Sequence, residues 1–260
     1  MRQTSLAHTK IDANGEFIGR AEQRQFSIVP RLLNDAFEYI IIPDGKDPIS
    51  QKPPILKEGA AENGLIAMGD CFEGLRLMHV NGVAHRDIKP ENIMIDGDIE
   101  YDDNGKESAV KMKAGRLIDF DTCVSGNQTQ AKIFGQEKLS RGTGGYMAPE
   151  IYDKSNEGDL FAADVFAMGV TCYYMLFPHL ANGSGFSGEN DAAYEKHRAP
   201  IYEPSIKQTR DRLIEEGNQH AAAMCGLILE MTHQDPSKRV SIQEATEKFN
   251  RLKAKMLEAG

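Results

Sequence analysis

The sequence predicts an α+β chain with a small β-containing N-terminal portion and a mainly helical remainder. Three observations carry this expectation. Two short apolar runs, Ser27 to Leu33 and Phe37 to Ile42, follow a polar, ambiguous stretch of about 25 residues and are bounded by turn signals. Apolar positions recur at helical spacing from Ala60 to Val80, and Ala162 to Leu176 is almost continuously apolar. A chain of 260 residues is long enough for one large domain or two modest lobes. The expected organisation is a partial or divergent N-terminal lobe over 1–46, a hinge or connecting segment over 47–59, and a helical C-terminal lobe over 60–255.

In the first lobe, Lys10 to Ile18 alternates around Asn14-Gly15, a hairpin signal, and a short helix after Gly19 is an alternative. Ser27 to Leu33 and Phe37 to Ile42 read as strands around Asn34-Asp35, and Pro43-Asp44-Gly45 ends the second. Pro48, Pro53 and Pro54 mark the connection. Leu65, Met68, Cys71, Phe72, Leu75 and Met78 then trace a helical face, which Gly82 stops. Asp96 to Lys113 is a polar, acidic excursion centred on Asp103-Asn104-Gly105. Its Glu100, Asp102, Asn104 and Gly105 fit half of a calcium-loop pattern, but Lys111 stands where the bidentate Glu is required. A solvated hairpin insertion is expected there. Ala181 to Asn190 reads as a surface loop, and Met224 to Met231 and Ile242 to Leu252 as amphipathic helices.

A net charge of -9 argues against nucleic acid or an anionic membrane surface as the main partner. No apolar run is long enough to cross a bilayer, and no signal-peptide pattern is found. Cys71, Cys123, Cys172 and Cys225 are widely spaced, which suggests free thiols and a cytoplasmic location. His8, His79, His179, His197, His220 and His233 lack metal-ligand spacing and read as polar surface or core groups, while Met68, Met78, Met168 and Met175 read as core filler.

The chemistry concentrates in three stretches. The run Gly82-Val83-Ala84-His85-Arg86-Asp87-Ile88-Lys89-Pro90-Glu91-Asn92 brings a carboxylate, an ammonium and a carboxamide into one short loop before an apolar triplet. A base, a phosphate-neutralising cation and a metal-binding oxygen are the parts a phosphoryl-transfer site needs. Downstream come Leu117-Ile118-Asp119-Phe120-Asp121 and Gly142-Thr143-Gly144-Gly145-Tyr146-Met147-Ala148-Pro149-Glu150.

In order and spacing these stretches resemble the HRDxKxxN catalytic loop, the DFG motif and the APE-terminated activation segment of eukaryotic-type serine/threonine protein kinases. The resemblance covers roughly residues 28 to 250 and is strongest from 75 onward. It implies a protein-kinase-like fold and transfer of the ATP γ-phosphate to Ser/Thr hydroxyls of a protein substrate, with ATP and Mg2+, or Mn2+, bound. It implies that Asp87 orients or accepts the hydroxyl proton, that Lys89 neutralises the transferred phosphoryl group, and that Asn92 and Asp119 hold the metal. Thr143 should pack against Asp87 and Lys89, and Arg86 should receive an activation-loop phosphate. Thr129, Ser140 and Thr143 are among the segment's hydroxyls, and Ser140 beside Arg141 is a candidate regulatory site. Asp164 should hold the catalytic-loop backbone, and Arg239 should pair with Glu150.

Two departures stand out. Asp121 replaces the glycine of DFG, either as an extra metal ligand or as a restriction on the loop. The N-terminal stretch is too short for a full N-lobe. Gly15 to Gly19 reads better as a hairpin than as a glycine loop, no lysine (Lys10 and Lys46 included) sits in a suitable strand, and neither Glu16 nor Glu22 is singled out as a helix glutamate. Three readings follow: an active kinase with a reduced N-lobe, a fragment of a longer kinase, or a pseudokinase acting as a binding or regulatory scaffold. A regulatory partner is an expectation of the latter readings; oligomeric state is not legible.

Overall fold

A computed structural model describes the backbone at Gln3–His8, Glu22–Ser27, Ile41–Ile42 and Ile55–Leu56, and residues 60–101, 103–105, 107–125, 142–152, 159–177 and 202–259. The chain divides into two compact units, Met1–Leu32 and Leu33–Gly260.

In the first unit, β1 (Gln3–His8) and β2 (Glu22–Ser27) pair antiparallel, with Gln3 opposite Ser27 and His8 opposite Glu22. The strands flanking Asn14-Gly15 therefore lie farther out than the alternation suggested, and residues 9–21 lie outside the described residues. The strand expected over 27–33 overlaps β2 only at Ser27. Glu22 to Ser27 holds a single large apolar residue, Phe26, so no period-2 pattern marks it.

In the second unit, β3 (Ile41–Ile42) pairs with β4 (Ile55–Leu56) across the proline-bearing connection. Helix α1 (Ala60–Val80) follows, and Leu65, Met68, Cys71, Phe72 and Leu75 on its inner face are buried. It ends where Asn81 donates from its backbone N–H and its side-chain amide to the Leu77 carbonyl, and Gly82 at φ +70° turns the chain.

Strand β5 (Val83–Ala84) pairs with β8 (Val124–Ser125), and between them runs a long antiparallel hairpin, β6 (Ile93–Tyr101) and β7 (Glu107–Leu117). The expected acidic insertion is the outer part of this hairpin. There Lys111 stands opposite Asp98 in the register, and Lys113 pairs with Asp98 at 2.7 Å. The inner part lies on α1. A Cβ on Gly115 would come within 2.5 Å of the Ala67 carbonyl oxygen, so only glycine permits this approach.

The remainder is helical: α2 (Pro149–Tyr152), α3 (Leu160–Leu176), α4 (Glu203–Glu215), α5 (Gln219–Met231) and α6 (Ile242–Ala259). Asp159 caps α3 by accepting from the Phe161 and Ala162 N–H groups at 2.9 and 3.3 Å. The apolar run makes α3 buried on nearly every side. Helix α5 starts earlier than its apolar pattern because Asn218 caps it, and α6 runs past the expected end. The sequence reading missed α4. Its inner stripe is only Ile206, Thr209 and Leu213 on an otherwise charged helix, and Pro204 in its first turn was the available signal. Residues 181–190 lie outside the described residues.

The core joins α1, α3, α5 and α6. Phe72 stacks on Phe249 with ring centroids 4.5 Å apart, and Phe166, Met168, Ile228 and Met231 are fully enclosed. Each such side chain contributes about 1.5–3 kcal/mol through removal of apolar surface from water. Met68 and Met175 join this core, whereas Met78 is half-buried. The four cysteines are free thiols, and burial pushes the Cys225 thiol up to about 12.

Candidate active site

The loop from β5 to the tight turn Pro90–Asn92 is held from below by one buried carboxylate. Asp164, on α3, accepts the backbone N–H of His85 at Oδ2 and of Arg86 at Oδ1, both at 2.7 Å. His79, in the last turn of α1, places its Nε2 3.0 Å from the same Oδ2. Three elements thus converge on Asp164. The left-handed φ of +75° at Arg86 is stabilised by these bonds.

The His85 ring is fully buried and links the loop in two directions. Its Nδ1 accepts from the Asp87 N–H at 3.3 Å, so Nε2 carries the proton that reaches the Ile118 carbonyl at 3.0 Å. That carbonyl belongs to the residue before Asp119. Ile118 also donates its N–H to the Asn92 carbonyl at 3.0 Å, so the end of β7 is tied to the loop twice.

Above this frame the structure brings Asp87, Lys89, Asn92 and Thr143 together. Lys89 Nζ donates to Thr143 Oγ1 at 2.7 Å, and that hydroxyl donates to Asp87 Oδ1 at 2.8 Å. Lys89 Nζ lies 3.4 Å from Asp87 Oδ2. Asn92 donates its amide to the Asp87 carbonyl at 2.8 Å and to Asp87 Oδ2 at 3.0 Å. Both carboxylate oxygens are therefore oriented by donors, each with lone-pair capacity left over. Asp87 and Thr143 border a shallow, solvent-open depression whose other walls include Tyr146, Met147, Ile151 and Leu160.

Asp119 sits at φ +63°, exposed, and takes part in no hydrogen bond or ion pair among the described residues. The following Phe120–Thr122 forms a single tight turn. Asp121 has no positive φ, so its Cβ fits an ordinary backbone and its carboxylate faces solvent. Thr122 Oγ1 donates to the His85 carbonyl at 2.8 Å, and Arg86 Nη1 donates to the Thr122 carbonyl at 3.3 Å. Thr129 and Ser140 lie outside the described residues, as do residues 15–19 and Lys46.

The donor set suits a hard cation. The Asn92 amide nitrogen is engaged by Asp87, which leaves its Oδ1 as the available atom, and the Asp119 carboxylate is open. Among the described residues no cluster of three or more His, Cys, Asp or Glu could enclose a metal. Two oxygen ligands from the protein, completed by phosphate and water, is the pattern magnesium favours.

Beside the site, Arg239 makes a paired contact with Glu150, Nη1 to Oε1 at 2.5 Å and Nη2 to Oε2 at 2.7 Å, with both side chains buried. Arg239 also donates to the His233 carbonyl at 2.8 Å and lies over the Phe166 ring. This ties α2 to the segment between α5 and α6. The residue that sequence reasoning overlooked is His79: spacing alone gave it no role, and only its place one turn before the loop could have singled it out.

The chain matches the protein kinase domain over residues 38–249 and belongs to that family. A protein of Acanthamoeba polyphaga mimivirus that carries a serine/threonine-protein kinase name is 27% identical over 181 residues, 70% of this chain and 54% of that protein. Rhodopsin kinase of Rattus norvegicus is 30% identical over 184 residues, covering 67% of this chain and 26% of the relative. The serine/threonine-protein kinase ELM1 of Saccharomyces cerevisiae is 29% identical over 196 residues, again 70% of this chain and 26% of the relative. The chain thus spans about half the length of the first of these and about a quarter of the others. No helix among the described residues is long and apolar enough to cross a membrane.

Proposed function

We propose that this chain transfers the γ-phosphate of ATP to serine or threonine hydroxyls of a protein substrate. The observation that carries the reading is the closed triangle of Asp87, Thr143 and Lys89, with Asn92 on its edge. Asp87 receives or orients the proton of the incoming hydroxyl, for which its oxygens are already aligned. Lys89 sets a cation beside the carboxylate, where it offsets the charge that gathers on the transferred group. Asn92 Oδ1 and the Asp119 carboxylate would hold magnesium, which supplies neutralisation of the phosphate charge when bound. The serine/threonine preference rests on Lys89 and Thr143 and on the names of the relatives.

The competing reading is a catalytically impaired pseudokinase or truncated kinase that acts as a binding or regulatory scaffold. Labelling with ATP carrying a radioactive γ-phosphate, followed by phosphoamino-acid analysis, separates them. Phosphoserine and phosphothreonine are expected on a protein acceptor. Phosphotyrosine alone would overturn the acceptor class. Absence of label at millimolar ATP with either Mg2+ or Mn2+ would favour the scaffold.

A further inference from the structure

Gly142 stands immediately before Thr143 at φ +139°, a conformation costly to any residue with a Cβ. A Cβ built there would lie 3.0 Å from the Arg86 carbonyl oxygen and 2.8 Å from Met147 Cγ. The Met147 side chain can turn aside. The Arg86 carbonyl has no such freedom, because the peptide units on either side of Arg86 are both held: its own N–H by Asp164, and the Asp87 N–H by the His85 ring.

The far side of Thr143 is fixed as well. Tyr146 donates its N–H to the Thr143 carbonyl at 3.1 Å, and the Tyr202 hydroxyl donates to the Gly145 carbonyl. Gly105 and Gly217 share a positive φ, at +74° and +79°, yet a Cβ on either would meet nothing within 4 Å. The collision belongs to Gly142 and not to glycines at positive φ in general.

We propose that Gly142 is a positioning residue of the phosphoryl-transfer site. Its bare Cα lets the segment seat against the Arg86 carbonyl, and that seating sets Thr143 Oγ1 between Lys89 and Asp87. A methyl group at 142 lifts the Thr143 hydroxyl off its two partners. The inference rests on the kinase reading, and the test keeps the two apart.

The experiment compares the wild type with Gly142→Ala, Gly217→Ala, Thr143→Ala and the Gly142→Ala/Thr143→Ala double variant. Gly142→Ala is expected to lose about 10- to 100-fold in kcat, as sub-ångström to ångström misplacement does, with KM for ATP within about twofold of wild type. Gly217→Ala, strained but unobstructed, keeps its kcat. The double variant is no slower than Thr143→Ala, because Gly142 acts through Thr143. An unchanged kcat in Gly142→Ala, or a double variant slowed by the product of the two single effects, overturns the proposal. Where Gly142→Ala does not fold, Gly142→Ala/Met147→Ala, compared with Met147→Ala, removes the movable half of the collision. It should still show the loss, and full recovery of kcat counts against the Arg86 contact. A crystal structure of the alanine variant provides the readout independent of activity. Thr143 Oγ1 beyond hydrogen-bonding distance of Lys89 is expected, and an intact triangle overturns the proposal even with a wild type that transfers no phosphate. That last result would refute the kinase reading separately.

Discussion

Lys89 Nζ and Thr143 Oγ1 meet at 2.7 Å although 54 positions separate them in the chain. The bond joins the loop after β5 to the segment before α2, and it completes its circuit through Asp87. Removing the hydroxyl should therefore disturb the orientation of the carboxylate as well as of the ammonium. Thr143→Ala is expected to lower kcat by about 10- to 100-fold, and Thr143→Ser, which keeps the hydroxyl, to restore most of it. Steady-state kinetics at saturating ATP checks this.

Asp164 supports the loop by accepting two backbone N–H groups, that of His85 in a fully buried setting and that of Arg86 beside it. Asp164→Ala removes the acceptor of both N–H groups and leaves the buried one at His85 unsatisfied, at about 1–3 kcal/mol. A urea unfolding curve should show the midpoint falling accordingly. His79→Phe removes a third partner of the same carboxylate and should reduce activity more than it reduces stability.

The Glu150–Arg239 pair is nearly enclosed, with side chains 7% and 1% exposed. Breaking it with Arg239→Met strands a buried carboxylate and is expected to cost about 3–5 kcal/mol, whereas Glu150→Leu with Arg239→Met recovers much of that loss. Thermal melting of the single and double variants gives the comparison.

Cys123 is half-buried, and burial, followed by the nearby Asp164 and Asp119 charges, pushes its thiol up to about 12. The folded chain therefore keeps this proton after the unfolded chain has released it. The contribution to stability is complete below the ordinary thiol range and declines as pH rises from about 9 towards 12. At pH 8 the folded chain should be alkylated by iodoacetamide far more slowly at Cys123 than the same chain in guanidinium, as mass spectrometry of the modified peptide would show.

The candidate site stands out in the sequence by its motifs, and the fold only in part. Asp87, Lys89, Asn92 and Asp119 lie within 33 residues of one another, in segments whose residue types follow from their chemistry. Helices α1 and α3 were legible because each buries a strong apolar pattern. Strand β2 was not, since its pairing rests on backbone bonds and its side chains carry no alternation. Helix α4 hides behind a charged surface, with a buried stripe of three residues of which only Ile206 and Leu213 are apolar. The role of His79 depends on a contact with a carboxylate 85 positions away, which no local pattern encodes. Gly142 is similar: a GT pair marks the motif, but only the approach of the Arg86 carbonyl shows why that position excludes a side chain.

On the proposed function, Asp87 anchors a working phosphoryl-transfer centre. The most direct measurement is the rate of γ-phosphate transfer to a protein acceptor, in Mg2+ and in Mn2+, by the wild type beside Asp87→Asn. Measurable transfer by the wild type is expected, with a loss of at least about 100-fold in kcat in the variant and nucleotide affinity retained. Equal rates from the two proteins, or nucleotide-independent labelling, would contradict the proposed function.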